Sequence, residues 1–223
     1  MKILVVYAHN EPASFTAALN NVVIEELTNA KHEIALSDLY GQGFNPVAEK
    51  WDFTTLSGTH FNYMLEQKHA ATNDLSFSPD IVGEIQKLKE ADLIVFTTPI
   101  WWFGVPAILK GWFDRVLAMG VTWDGGQIYQ NGLLKGKQAM IVASGGHPKE
   151  YYNENGLHKM TPLQMLHTIH QGVFAFCGMN VHEPFIALNV LGLDQAGREA
   201  QLGELRFRVQ NIFSSPNWLI TQN

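Results

Sequence analysis

Two apolar patterns alternate along the chain. Continuous runs occur at Ile3-Leu4-Val5-Val6 and Leu93-Ile94-Val95-Phe96, and again within 137–143. Short runs of this kind, rich in β-branched residues, fit strands buried on both faces of a parallel sheet. Between them lie helical stretches. Ser14 is a suitable N-cap for a helix from Phe15 to about Asn29. A Ser78-Pro79 start precedes Ile81, Val82, Ile85 and Leu88, predicting a helix that ends near Glu90. Pro106 precedes Ile108, Leu109, Trp112, Phe113 and Val116, again at helical spacing. A second strand is expected over 32–36 and a turn-rich loop over 41–46. Residues 61–71 have helical character. A helix over 162–176, a fifth strand over 180–186 and a last helix over about 194–213 complete the pattern. Five strand–helix units predict an α/β fold: a doubly wound, five-stranded parallel sheet with helices on both faces, whose ligand lies beyond the carboxyl ends of the strands. Residues 1–213 read as one domain and 214–223 as a short tail.

Composition narrows the choice of partner. The chain has 223 residues, 46% hydrophobic and 16% charged, which suits one packed domain. A net charge of −6 gives no basic footprint for nucleic acid. The single cysteine, Cys177, excludes an internal disulfide and a cysteine-based metal site, reads as a small buried hydrophobe, and fits a reducing cytoplasm. The apolar span 93–109 is interrupted by Pro99 and Pro106 and is shorter than the ~20 residues a membrane helix needs, so no membrane insertion is expected. No metal site is expected either.

Candidate chemistry concentrates in three loops that follow strands. After the third strand, Pro99 ends the ladder and Ile100, Trp101, Trp102 and Phe103 follow before Gly104. Aromatics in a loop at the carboxyl end of a strand suit a flat ligand. After the first strand, the loop from His9 feeds a helix whose first amides, on Phe15, Thr16 and Ala17, form an anion site. The chain has no G-x-G-x-x-G and no phosphate-loop G-x-x-x-x-G-K-[ST], so neither a dinucleotide fingerprint nor a nucleoside triphosphatase is indicated. After the fourth strand, Ser144-Gly145-Gly146 lets backbone approach a ligand closely.

The ungapped segment 98–116, TPIWWFGVPAILKGWFDRV, resembles the signature of the NAD(P)H:quinone oxidoreductases of the flavodoxin-like superfamily, the DT-diaphorase group. The resemblance extends from Ile3 to about Arg206 and implies the flavodoxin-like strand order 2-1-3-4-5, with flavin at the switch between strands one and three. It implies that the segment from Ala8 to Phe15 wraps the flavin phosphates, with His9 beside them. Pro99, Ile100, Trp101, Trp102 and Phe103 then supply the flavin wall and backbone donors, opposite Ser144, Gly145 and Gly146. Tyr152 and His158, spaced as the family's tyrosine and histidine after a one-residue insertion, would stand where negative charge appears on flavin reduction; Tyr151 competes for the first role. Asn62 and Arg198 match positions near the adenosine end, which favours FAD over FMN. Trp123 and Gly125 stand where the family commonly places two tyrosines, in a loop that crosses a dimer interface to lid the partner's flavin. Trp102 and Phe176 would join them in the substrate cleft. The activity implied is two-electron, ping-pong reduction of quinones by NAD(P)H in a cytoplasmic homodimer with active sites at the interface. Alternatives are a flavin-binding regulatory subunit of a potassium-efflux system and an NAD(P)H-dependent nitro- or azoreductase.

Overall fold

A computed structural model describes residues 1–222. In chain order the elements are β1 (Lys2–Tyr7), α1 (Phe15–Asn29), β2 (Glu33–Asp38), α2 (Tyr63–Thr72), α3 (Pro79–Glu90), β3 (Leu93–Pro99), α4 (Ala107–Val116), β4 (Gln138–Ser144), α5 (Pro162–Met165), α6 (His167–Ile169), β5 (Asn180–His182), β6 (Phe185–Ala187), α7 (Gln195–Gln210) and β7 (Trp218–Ile220). The sheet order is β2-β1-β3-β4-β5-β7, with β6 also pairing β4. The four strands β2, β1, β3 and β4 are parallel and in continuous register, from Lys2 opposite Glu33 to Pro99 opposite Ser144.

Strand alternation decides which helix meets which residue. Ile3, Val5, Leu93, Val95, Met140 and Val142 face a layer built from Leu19, Val23 and Leu27 of α1 and Leu205 and Val209 of α7. Leu4, Val6, Ile94, Phe96 and Ile141 face the other layer, with Ile81, Ile85 and Leu88 of α3 and Leu109 and Trp112 of α4. Both faces are dry, so the central strands have no polar side, and each fully buried aliphatic contributes about 1.5–3 kcal/mol relative to exposure. α4 lies so close to the preceding chain that a Cβ on Gly111 would sit 2.2 Å from the Pro46 carbonyl oxygen.

The sheet has seven strands where five were expected. The run over 180–186 is two strands. β5 pairs with the start of β4 through Asn180 and Val181, and β6 with its end through Phe185, Ile186 and Ala187. Between them Pro184 has no amide to donate, and the amide of Glu183 turns to the Asn217 carbonyl at 2.8 Å. The seventh strand, β7, pairs antiparallel with β5. The single helix expected over 162–176 is also divided: α5 and α6 lead into a π-helical stretch, His170–Ala175. Thr168, Ile169 and Gly172 are weak helix formers at that point.

β7 is held by an aromatic contact. His182 is 2% exposed, stacks on Trp218 with centroids 4.1 Å apart, and lies 2.8 Å from Gln138 Oε1 through Nε2. Burial, aided by the Arg208 charge, pushes its pKa down to about 4. The folded chain therefore keeps this ring neutral, while the unfolded chain protonates it below about pH 6.5. Its contribution is complete above that pH and declines as pH falls toward 4. Urea unfolding at pH 5 should give a stability about 2 kcal/mol below that at pH 7 from this group. The pH dependence should shrink by that amount in His182→Gln; an unchanged dependence would refute the assignment.

Candidate active site

The carboxyl ends of β1, β3 and β4 open into one cleft of about 630 Å³. Its floor begins at α1. Ser14 caps that helix by accepting from the Ala17 amide at 3.1 Å, while the amides of Phe15 and Thr16 find no acceptor among the described residues. These two donors and the positive end of the helix dipole make an anion seat. Thr16 Oγ1 meets Ser144 Oγ at 2.7 Å, both buried, and so ties the first loop to the end of β4. His9 stands at the rim. Its Nδ1 accepts from the Glu11 amide at 3.0 Å, which leaves Nε2 to carry the proton when the ring is neutral. Burial lowers the pKa of His9, so near neutral pH it is an uncharged donor.

The second wall is a hook. Ile100 continues the ladder by donating to the Ser144 carbonyl at 2.8 Å. Trp101 and Gly104 then exchange two backbone hydrogen bonds of 3.0 Å around Trp102 and Phe103. Those two central residues have φ of 51° and 59°, the signature of a type I′ turn. Asn and Gly are the usual occupants. Two bulky aromatics here cost about 1–2 kcal/mol each. The strain sits at the strand ends where ligands bind, as expected of a site that uses it. Trp102 is 99% exposed, and Trp101 and Phe103 are close to half exposed. Trp101 lies edge-on to His9 at 5.9 Å.

The third wall follows β4. Gly145 lies under the Tyr152 hydroxyl: a Cβ there would be 3.3 Å from Oη and 2.9 Å from Leu188 Cδ2. Tyr152 is 7% exposed, and burial raises its pKa despite a hydrogen bond from the His147 backbone, so its phenol stays protonated. Its ring lies 4.7 Å from that of His158, which lies 5.1 Å from Phe103. The hook and this loop therefore meet across the mouth. Tyr151 is more exposed and uses its carbonyl to hold the His158 amide at 2.9 Å.

The structure gathers His9, Ser14, Phe15, Thr16, Pro99, Ile100, Trp101, Trp102, Phe103, Ser144, Gly146, Tyr152, His158 and Arg198 around the cleft, with Gly145 behind them. Arg198 is half-committed: Nη2 donates to the Val190 carbonyl at 3.0 Å, Nε to that of Leu193 at 3.3 Å, and the guanidinium lies over Phe15. Asn62 stands elsewhere, capping α2 through the Leu65 amide at 3.3 Å. Trp123, Gly125 and Phe176 also lie off this cleft. Trp123 packs on Phe176 at 5.5 Å and joins Phe61, Tyr63 and Met64 around a second, shallower depression. Ala13, from the segment expected to wrap the phosphates, also lines the cleft, whereas sequence reasoning missed His147, Val190 and Leu191. Val190 and Leu191 belong to the loop after β6, bonded back through Asn189 N to His147 O at 2.8 Å. Their signal was a loop at yet another strand's carboxyl end.

An anion seat after the first strand, a flat aromatic wall after the third and a glycine-backed wall after the fourth, on a 2-1-3-4-5 parallel sheet, define a flavodoxin-type ligand site. Residues 1–209 match the Flavodoxin_2 family, described by its flavodoxin-like fold. The chain is 38% identical to ribosyldihydronicotinamide dehydrogenase (quinone) of Homo sapiens over 214 residues, 95% of this chain and 92% of that protein. It is 34% identical to NAD(P)H dehydrogenase (quinone) 1 of Cavia porcellus, over 95% of this chain and 77% of that one. A solved structure from Klebsiella pneumoniae, provisionally assigned as a quinone reductase, superposes with a TM-score of 0.90 at 32% identity, covering 98% of this chain and 87% of that one. The chain belongs to this flavodoxin-like family of quinone dehydrogenases. Among the described residues no helix is long and apolar enough to cross a membrane.

Proposed function

We propose that this protein is a flavin-dependent NAD(P)H:quinone oxidoreductase, with the cleft at the ends of β1, β3 and β4 as its flavin site. One observation carries the reading: the exposed aromatic hook and the Tyr152–His158 pair face each other over a helix N-terminus with two free amides. Those parts suit the three regions of a flavin, which are a planar ring, a polar edge and a phosphate. Bound there, a flavin would accept hydride from a dihydronicotinamide and pass two electrons to a quinone. The chain's own contributions follow from its geometry. Phe15 and Thr16 amides and the Nε2–H of His9 hold phosphate. Trp101, Trp102 and Phe103 pack the ring and exclude water from one face. Tyr152 Oη and His158 offer hydrogen at the edge where negative charge develops.

We favour FAD over FMN because the lining continues past the phosphate seat to Val190, Leu191 and Arg198, which leaves room at the adenosine end. Asn62 has no part in that argument, since it caps α2. A homodimer follows from the same reading. Trp123 and Phe176 form an aromatic surface away from their own chain's cleft, and a second copy would bring them over its neighbour's. Gly125, at φ 45° in the turn beside Trp123, leaves that lid without a side chain. A single buried, unpaired cysteine suits the cytoplasm.

The test is optical. Purified protein, or protein offered excess FAD, should be yellow. Its visible band should bleach with a dihydronicotinamide and return with a quinone. NADH, NADPH and ribosyldihydronicotinamide should be compared, because the related enzymes' names differ in that donor. A colourless protein that takes up neither FAD nor FMN would end the proposal.

A further inference from the structure

The side chain of His147 also lines the cleft. His147 follows Gly146 directly, and its Nδ1 lies 2.9 Å from Nε2 of His158. The two ring centroids are 4.9 Å apart and the planes 28° from parallel, which suits an edge-to-edge contact with the hydrogen close to both ring planes. Both backbones are pinned. The His147 carbonyl accepts from Asn189 at 2.8 Å, and the His158 amide donates to Tyr151 at 2.9 Å. No other side chain among the described residues hydrogen-bonds to either ring. The groups facing the pair are Tyr151, Tyr152 and Phe103, and none is a carboxylate or a cation. The contact between the rings is thus the one protein hydrogen bond that sets their tautomers.

Its logic is exclusive. With both rings neutral, only one of the two facing nitrogens carries hydrogen. If that were Nε2 of His158, its Nδ1 would be a bare acceptor and the ring could not donate into the cleft. For His158 to offer hydrogen there, Nε2 must accept and His147 must donate. We propose that His147 is a positioning residue for His158: its Nδ1–H donates to His158 Nε2 and holds that ring with the proton on Nδ1. The inference rests on the quinone-reductase reading for the purpose of the donor, while the contact itself stands on geometry. It adds a histidine to the site at a position where the Tyr-x5-His pattern gives no hint of one.

The test pairs a spectroscopic readout with a kinetic one. Nitrogen-15 histidine spectra of the flavin-loaded protein should show His158 as the Nδ1–H tautomer, and His147→Leu should turn it into a mixture. His147 is exposed, so that variant should fold normally. His147→Leu should slow flavin reduction about fivefold, the value of one neutral hydrogen bond, with the KM for the donor within about twofold of wild type. His147→Gln, whose amide can still donate, should recover most of the rate. An Nε2–H tautomer in the wild type, or a tautomer and rate indifferent to His147→Leu, overturns the proposal. A loaded protein with His158 as Nδ1–H that reduces no quinone would support the contact and refute the quinone-reductase reading instead.

Discussion

Reduction of the bound flavin by a dihydronicotinamide is expected to slow about 100-fold when Tyr152→Phe and His158→Gln are combined, with flavin affinity within a few-fold of wild type. The two residues differ in what they bring. Tyr152 is buried above Gly145, and burial raises its pKa, so it is a fixed neutral donor over the working pH range. Phenylalanine keeps the ring and removes only Oη. His158 is half-buried at the mouth, between Tyr152 and Phe103. Glutamine keeps a polar side chain there but cannot become a cation. Neither residue belongs to the α1 amide seat or to the bulk of the hook, so binding should survive while stabilisation of developing negative charge is lost. Stopped-flow traces of wild type, both single variants and the double variant decide the matter. If the double variant reduces its flavin at the wild-type rate, Tyr152 and His158 are bystanders and Tyr151 becomes the next candidate.

The largest loss of stability is expected from Asp52→Ala. Asp52 is fully buried and Arg115 is 2% exposed. Arg115 grips the carboxylate through Nε at 3.1 Å to both oxygens and through Nη2 at 2.7 Å, while Nη1 reaches the Asn45 carbonyl and Asp80, each at 2.8 Å. Tyr63 donates to the same Asp52 at 2.6 Å, and burial followed by that hydrogen bond raises the phenol's pKa. Removing the carboxylate strands a buried guanidinium, a cost of about 3–5 kcal/mol, against a total of about 5–15 kcal/mol for a domain. Urea unfolding measures it. Asp52→Leu combined with Arg115→Met should lose clearly less than Asp52→Ala alone, because an apolar pair leaves no uncompensated charge. A loss below about 1 kcal/mol in Asp52→Ala would mean that water or Asp80 fully replaces the missing partner. The site has a stake in this cluster. Arg115 anchors the far end of α4, the helix that leaves the hook, against the chain around Asn45 and Asp52.

What could be read in advance depended on range. The apolar runs at 3–6 and 93–96 predict buried strands because both faces of the sheet are dry. The loops after β1, β3 and β4 carry visible punctuation: Ser14, Pro99, Gly104 and the Gly145-Gly146 pair. Their convergence follows from the parallel register. The left-handed turn at Trp102 and Phe103 was invisible because local preference argues against it; the surrounding ladder imposes it. The Asp52–Arg115 grip joins residues 63 positions apart and has no period. The His147–His158 bond depends on how a loop of irregular turns closes. Pro184 breaks the run that reads as one fifth strand, and the Glu183 amide bonds Asn217 instead of a neighbouring strand, a partner far along the chain that no local pattern names. The off-cleft placement of Trp123 and Phe176 depends on how segments distant in the chain pack together, to which periodicity is blind.

β7 has a practical corollary. It runs along the outer flank of β5, where it occupies hydrogen-bonding groups that would otherwise face water. Shortening the chain at residue 213 would strip that cover and leave a raw border able to recruit strands from other molecules, so such a truncation should clump during purification. Fusions and labels are better appended past Ile220 than substituted for the last ten residues, however dispensable those look to an eye trained on motifs.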